Sequence, residues 1–263
     1  MAQLDSNSRL WDWAFVIGTA LFVLAGWWLV AGVVLAGTHA LPTPDALIGK
    51  LIEDGAGFYA RHIGVTLWSG AQGYFWGNLL ALGVAAMVLL VPELEGLATQ
   101  IGVVSKCLPL VAIGPIILVV AGDRAPSIFL AGLSVFFTTL IGALLGLSAA
   151  KRPALDLVAA YGGGRWMQLR KVRLYSAIPA LIGALQIAVP AGFLGAIVGE
   201  YLGGVDTGVG VALAIAQSQL EVERAWAFAI LTGLIALAGY GLVDQVGRRL
   251  APWNPAYASE GAS

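Results

Sequence analysis

The chain has 263 residues, of which 59% are apolar and only 11% charged, with a formal net charge of −1. Ordinary globular proteins carry roughly 25% charged residues, so this composition, with a mean hydropathy of +0.86, excludes a soluble fold and indicates an integral membrane protein. The single cysteine, Cys107, excludes an internal disulfide or a multi-cysteine metal site, and His39 and His62 are too few and too far apart for a metal centre.

A helix crossing the hydrocarbon needs about 20 mainly apolar residues. Residues 13–36 meet that without a charge, and Trp11 and Trp13 suit an interfacial belt. A secretory leader is the alternative for this stretch, but its apolar region would be about 7–15 residues. Residues 41–61 hold Pro42, Pro44 and alternating acids and bases, which reads as an external segment lying along the membrane. The second span, 63–91, is stopped by Pro92, Glu93 and Glu95. The third, 97–121, is interrupted by Lys106, Pro109 and Pro115. A polar turn leads to the fourth span, 127–149. A basic loop, 150–176, precedes the fifth, 177–202, where Pro190 predicts a kink. Residues 203–223 are too polar for a simple crossing, and 225–246 form the sixth span.

The expectation is therefore an all-α membrane protein of about six transmembrane helices, with tails 1–12 and 247–263 on one side. That parity puts Arg9, six basic residues of the loop, Arg248 and Arg249 together, against Lys50, Arg61, Arg124 and Arg224 opposite. Short loops rich in Lys and Arg stay in the cytoplasm, so both tails and the 150–176 loop are expected there.

That loop carries Lys151, Arg152, Arg165, Arg170, Lys171 and Arg173 against one acid, Asp156. Pro153 suits the first turn of a helix, and Asp156 is expected to complement the positive N-terminal end. Gly162, Gly163 and Gly164 stop that helix, since each glycine costs about 1 kcal/mol in a helix interior. A second helix can start at Arg165, with Trp166, Leu169 and Val172 on one face by their three-residue spacing.

Helix, glycine turn and amphipathic helix together resemble the cytoplasmic coupling loop of ATP-binding-cassette importer permeases. The family pattern is Glu-Ala-Ala, three residues, Gly, nine residues, Ile, any residue, Leu-Pro. Here its positions are held by Asp156, Leu157, Val158, Gly162, Val172, Leu174 and Tyr175, so the acid, glycine and leucine match while the alanine pair and the proline do not. Leu41-Pro42-Thr43-Pro44, the 108–115 run Leu-Pro-Leu-Val-Ala-Ile-Gly-Pro, Gly199-Glu200-Tyr201-Leu202-Gly203 and Gly208-Val209-Gly210 fall in the family's order. Together they look like the nitrate, sulfonate and taurine branch. The resemblance implies a type I importer permease fold in a bacterial inner membrane, with a coupling helix between spans 4 and 5. It implies two ATPase subunits as partners, a second permease subunit, identical or sister, and an external binding protein. The implied cargo is a small anion or nutrient precursor. ATP would be bound by the partner, and the chain needs no cofactor of its own.

In the fourth span Ser127, Ala131, Ser134, Thr138 and Gly142 line one face, either packing a neighbouring helix or, through Ser134 and Thr138, forming a weakly polar wall of the substrate path. In the fifth, Gly183, Gly195 and Gly199 suit close packing, and Gln186 needs a polar partner. Glu200 is an ionisable residue in a span and so a functional candidate, either bonding the glycine-rich segment that follows or serving an external gate. Lys106 can snorkel to the cytoplasmic surface or meet an anionic cargo. The basic loop could also serve only as an anchor to anionic membrane lipid; it lacks the aromatic platform that nucleic-acid binding would need. No phosphate-binding Gly-x-x-x-x-Gly-Lys-Ser/Thr loop, zinc signature or nucleophile elbow is present. A membrane enzyme would want paired acids or histidines in the spans, and these are missing. A secondary transporter remains the alternative, although internal repeats and a mid-depth charge are not evident.

Overall fold

The computed structural model describes residues 4–37, 40–107 and 109–253, with side chains except those of 4–14, 16, 92 and 105–107. The readings of the Trp11, Trp13, Lys106 and Cys107 side chains therefore fall outside what is described, as do His39 and residues 254–263 of the C-terminal tail. Every regular element among the described residues is helical. Helix α1 (Leu4–Leu29) runs on as a π-helical turn, Val30–Val34. Helix α2 (Pro44–Asp54) has proline in its first turn and stops at Gly55, whose φ of +77° suits glycine. Helix α3 (Ala56–Leu90), α4 (Glu95–Cys107), α5 (Leu110–Ala121) and α6 (Ala125–Ser148) follow. Helix α7 (Arg152–Ala160) precedes α8 (Arg165–Gln168), a π-helical turn (Leu169–Arg173) and α9 (Leu174–Leu202). Helices α10 (Val209–Ser218) and α11 (Val222–Leu250) are the last described elements.

Among the described residues, five helical runs are long and apolar enough to cross a membrane: Ile17–Val34, Ala56–Leu90, Ala125–Ser148, Arg165–Leu202 and Val222–Leu250. The third span, 97–121, is divided at Pro109, one of the three interruptions expected there. It is two helices, α4 of 13 residues and α5 of 12, the second beginning after the extended Pro109. Proline lacks the N–H that a continuous helix needs and disfavours helical geometry in the residue before it. Pro115, by contrast, is accommodated inside α5, and Pro179 and Pro190 inside α9.

The chain divides into two compact units. The first comprises residues 1–60 and 213–231. Its centre is Phe228, fully buried, with ring centroids 4.8 Å from Tyr59 and 5.7 Å from Phe58. Beside it Arg224 donates two 2.8 Å hydrogen bonds to the two oxygens of Asp54, pairs with Glu221, and lies 5.3 Å from the Phe58 ring centroid. Tyr59 also donates to Asp54, at 2.9 Å. Two tryptophans fix the preceding turn: Trp27 donates to the Pro42 carbonyl at 3.0 Å and Trp226 to that of Ala40 at 3.2 Å.

The second unit comprises residues 61–212 and 232–263. Its spine is the seam between α6 and α9, where backbones touch. A Cβ at Gly142 would lie 2.2 Å from that of Ala184, and one at Gly199 would lie 2.4 Å from the Ser127 Cα. Without a hydrophobic drive between helices in lipid, such small-residue contact carries the packing. Ser127, Ala131 and Gly142, expected on one face, do lie on this seam. Against α6, Asn78 of α3 accepts a 2.6 Å bond from the fully buried Thr139.

Candidate functional site

The basic loop is built as two helical pieces around one turn. Lys151 is extended and caps α7, with Pro153 in the first turn. At the other end Gly162 (φ +78°) donates to the Ala159 carbonyl at 2.9 Å and Gly163 to that of Val158 at 2.9 Å, a closed left-handed C-cap. Gly163 has no room for a side chain, since a Cβ would sit 2.5 Å from Val158 Cγ1. Gly164 has open space and serves as the extended N-cap of α8. Gln168 donates to the Leu155 carbonyl at 3.1 Å, clamping α8 to α7. Asp156 is exposed and is the fifth residue of α7, beyond a first turn that contains no acid. The expected complement to the helix N-terminus is therefore absent, because that interaction fades within one turn.

Arg165 to Leu202 form one uninterrupted helical run of 38 residues. The π-helical turn at Leu169–Arg173 sorts the side chains into rows four residues apart. Arg165, Leu169 and Arg173 border a cleft of about 580 Å³ that Glu93 and Glu95 also line. Trp166, Arg170, Leu174 and Ile178 form the next row, lining a groove of about 600 Å³ with Met167, Lys171 and Tyr175. Trp166 is 67% exposed and borders both openings. The face of Trp166, Leu169 and Val172 expected from the sequence is thus divided: Leu169 stays with Trp166 on the cleft, and the half-buried Val172 lines neither opening, while Leu174, the family-pattern leucine, lies in the groove.

Within the spans, the Ser134 and Thr138 hydroxyls turn back onto their own helix, donating to the Leu130 and Ser134 carbonyls at 2.9 and 3.0 Å. Gln186 finds its partner in Asp244 of α11, donating at 2.7 Å to one oxygen while Arg248 donates at 2.8 Å to the other. Glu200 is 1% exposed. Its Oε2 accepts from the Thr66 hydroxyl at 2.8 Å and from the Gly210 N–H at 3.1 Å. Thr66 in turn accepts from the Val209 N–H at 2.9 Å, and Gly208 N–H donates to His62 Nδ1 at 3.1 Å. A carboxylate thus sits at the start of α10, where the first N–H groups have no helical acceptor. The geometry joins Glu200 to the glycine-rich segment that follows it. Sequence reasoning missed Thr66 and Asp244. Nothing marks one threonine in an apolar span, whereas an acid in the sixth span was a signal available to the rule that flagged Glu200.

Residues 62–252 match the family described as "Binding-protein-dependent transport system inner membrane component". The chain belongs to this family of transport permeases. Relatives align along nearly their whole length. A probable ABC transporter permease protein of Haemophilus influenzae is 27% identical, covering 90% of this chain and 95% of its own. A riboflavin transport system permease protein of Chloroflexus aurantiacus is 27% identical over 92% of each. A taurine transport system permease protein of Escherichia coli is 24% identical over 96% of each. The permease is thus an all-helical membrane protein of the importer type, and Glu200 and the basic loop both lie within its family-matched region.

Proposed function

We propose that the permease is the membrane-spanning subunit of an ATP-driven importer in a bacterial cytoplasmic membrane, and that residues 150–176 couple it to ATPase subunits. Both termini and this loop face the cytoplasm; residues 41–61 and 203–223 face outward. A second permease subunit, identical or sister, completes the path, two ATPase subunits bind below, and an external binding protein delivers cargo. The observation that carries this reading is Trp166, an exposed indole on a helical run that continues without a break to Leu202. A large exposed aromatic on a rigid element is the kind of anchor that dominates protein interfaces.

The mechanism is alternating access. Closure of the ATPase pair pushes on α7 and Trp166; the clamp from Gln168 to Leu155 makes the two pieces move together. Because the Arg165–Leu202 run is one helix, displacement at its cytoplasmic end tilts its far end, where Glu200 holds the start of α10. The cargo is a small anion of the nitrate, sulfonate or taurine type, or a small nutrient precursor. Taurine and riboflavin are the cargoes named for two of its relatives.

The test is Trp166→Ala in the reconstituted complex. Truncating such an anchor commonly costs about 2 kcal/mol or more, so the variant should lose ATPase subunits on purification or hydrolyse ATP without uptake. A Trp166→Ala complex that assembles and couples like wild type would remove the coupling role from this loop.

A further inference from the structure

The six basic residues of the loop do not share one environment. Arg165 and Arg173 border the cleft that Glu93 and Glu95 also line, so acids share their opening. Arg170 and Lys171 border the other opening, whose lining among the described residues includes no acid. That groove is graded along the helix. Arg170, Leu174 and Ile178 lie at successive four-residue steps, so the lining passes from guanidinium to aliphatic over about 12 Å of helix rise. Tyr175 flanks the transition, its ring centroid 6.2 Å from that of Trp253 just beyond the end of α11. Tyrosine and tryptophan gather at the level of lipid headgroups.

We propose that this groove is a binding site for an anionic phospholipid, with its phosphate on Arg170 and Lys171 and the start of an acyl chain on Leu174 and Ile178. The guanidinium fork can engage two phosphate oxygens at once, and the lysine ammonium adds a point charge. A free anion would gain nothing from Leu174 and Ile178. An apolar peptide would leave two cations uncompensated. Only a ligand with charge at one end and hydrocarbon at the other matches the gradient, and the cytoplasmic leaflet supplies it. The inference rests on the orientation given under the proposed function. It divides the loop between two tasks, with Arg165 and Arg173 on the side of the acidic cleft and Arg170 and Lys171 gripping the bilayer.

The experiment uses the full-length permease with its co-purifying subunits, reconstituted without nucleotide in vesicles containing spin-labelled phosphatidylglycerol or phosphatidylcholine. The wild-type protein should immobilise phosphatidylglycerol severalfold more strongly than phosphatidylcholine. Arg170→Gln with Lys171→Gln should abolish that preference, and Arg165→Gln with Arg173→Gln should leave it in place. Equal immobilisation of the two lipids by wild type, or a preference that survives the Arg170→Gln/Lys171→Gln change, would overturn the proposal. Displacement by millimolar inorganic phosphate would do the same, by assigning the groove to a free anion. No ATP turnover is read, so a failure here is separable from a failure of the coupling role.

Discussion

Asp54 offers the sharpest test of the packing inside the first unit. Its side chain is only 6% exposed, yet it accepts two hydrogen bonds from Arg224 and one from Tyr59. The Arg224 guanidinium lowers the Asp54 pKa from 3.8 to about 2, with Tyr59 assisting and burial opposing. A difference of that size corresponds to about 2 kcal/mol of preference for the folded arrangement, or about thirtyfold in a local opening equilibrium. The folded-state pKa lies below the unfolded value. The stabilisation is therefore fully present above pH 3.8 and is lost as pH falls from there through about 2. Asp54→Asn removes the charge and retains one acceptor, so it should expose the α2 backbone about thirtyfold more often at neutral pH. Amide hydrogen exchange read by mass spectrometry on peptides from 44–54 would measure this directly. Exchange within threefold of wild type at pH 7, or a wild-type protection that does not fall between pH 4 and 2, would refute the argument.

Three further changes follow from the geometry. Gly199→Ala places a Cβ 2.4 Å from the Ser127 backbone and should cost about 1–3 kcal/mol through overpacking, whereas Gly183→Ala meets open space; thermal unfolding in detergent should fall for the first alone. Gly163→Ala, which crowds Val158 and Met167, should impair coupled ATPase activity, and Gly164→Ala, which meets nothing within 4 Å, should not. Glu200→Ala leaves the Thr66 hydroxyl only its 3.2 Å bond to the His62 carbonyl and strands the buried Gly210 N–H, at about 1–3 kcal/mol for an unsatisfied group, and should lower uptake while assembly with the ATPase persists. Glu200→Gln keeps an acceptor and should transport nearly as wild type; equal losses in both variants would show that charge, not hydrogen bonding, matters there.

Features set by local chemistry were legible in the sequence. Apolar length locates the five long crossings, and Gly162 to Gly164 end α7 where a left-handed cap and a crowded turn need them. Features set by partners far along the chain were not. Arg224 and Asp54 are 170 residues apart, and nothing in either local stretch names the other. Gln186 announced a need for a partner, but only the packing of α9 beside α11 identifies Asp244. The division of the amphipathic face arises from a five-residue π-helical turn at Leu169–Arg173. A three-residue periodicity drawn through that turn assumes a winding that the backbone does not keep. In the third span the sequence marks Pro109 and Pro115 alike as interruptions, and only the structure shows that the helix parts at the first and runs through the second.

The unbroken run from Arg165 to Leu202 also makes this stretch of gene sensitive to length as well as to composition. One residue added between Tyr175 and Gly195 would rotate everything beyond it by about 100° and advance it by about 1.5 Å. Glu200 would then swing away from Thr66 and Gly210, and Gly199 would no longer face Ser127. A residue added to the irregular stretch at 203–207 can instead be absorbed as slack. Between Trp166 and Glu200 the spacing is counted in whole residues, and insertions or deletions there should be rejected even where substitutions are tolerated.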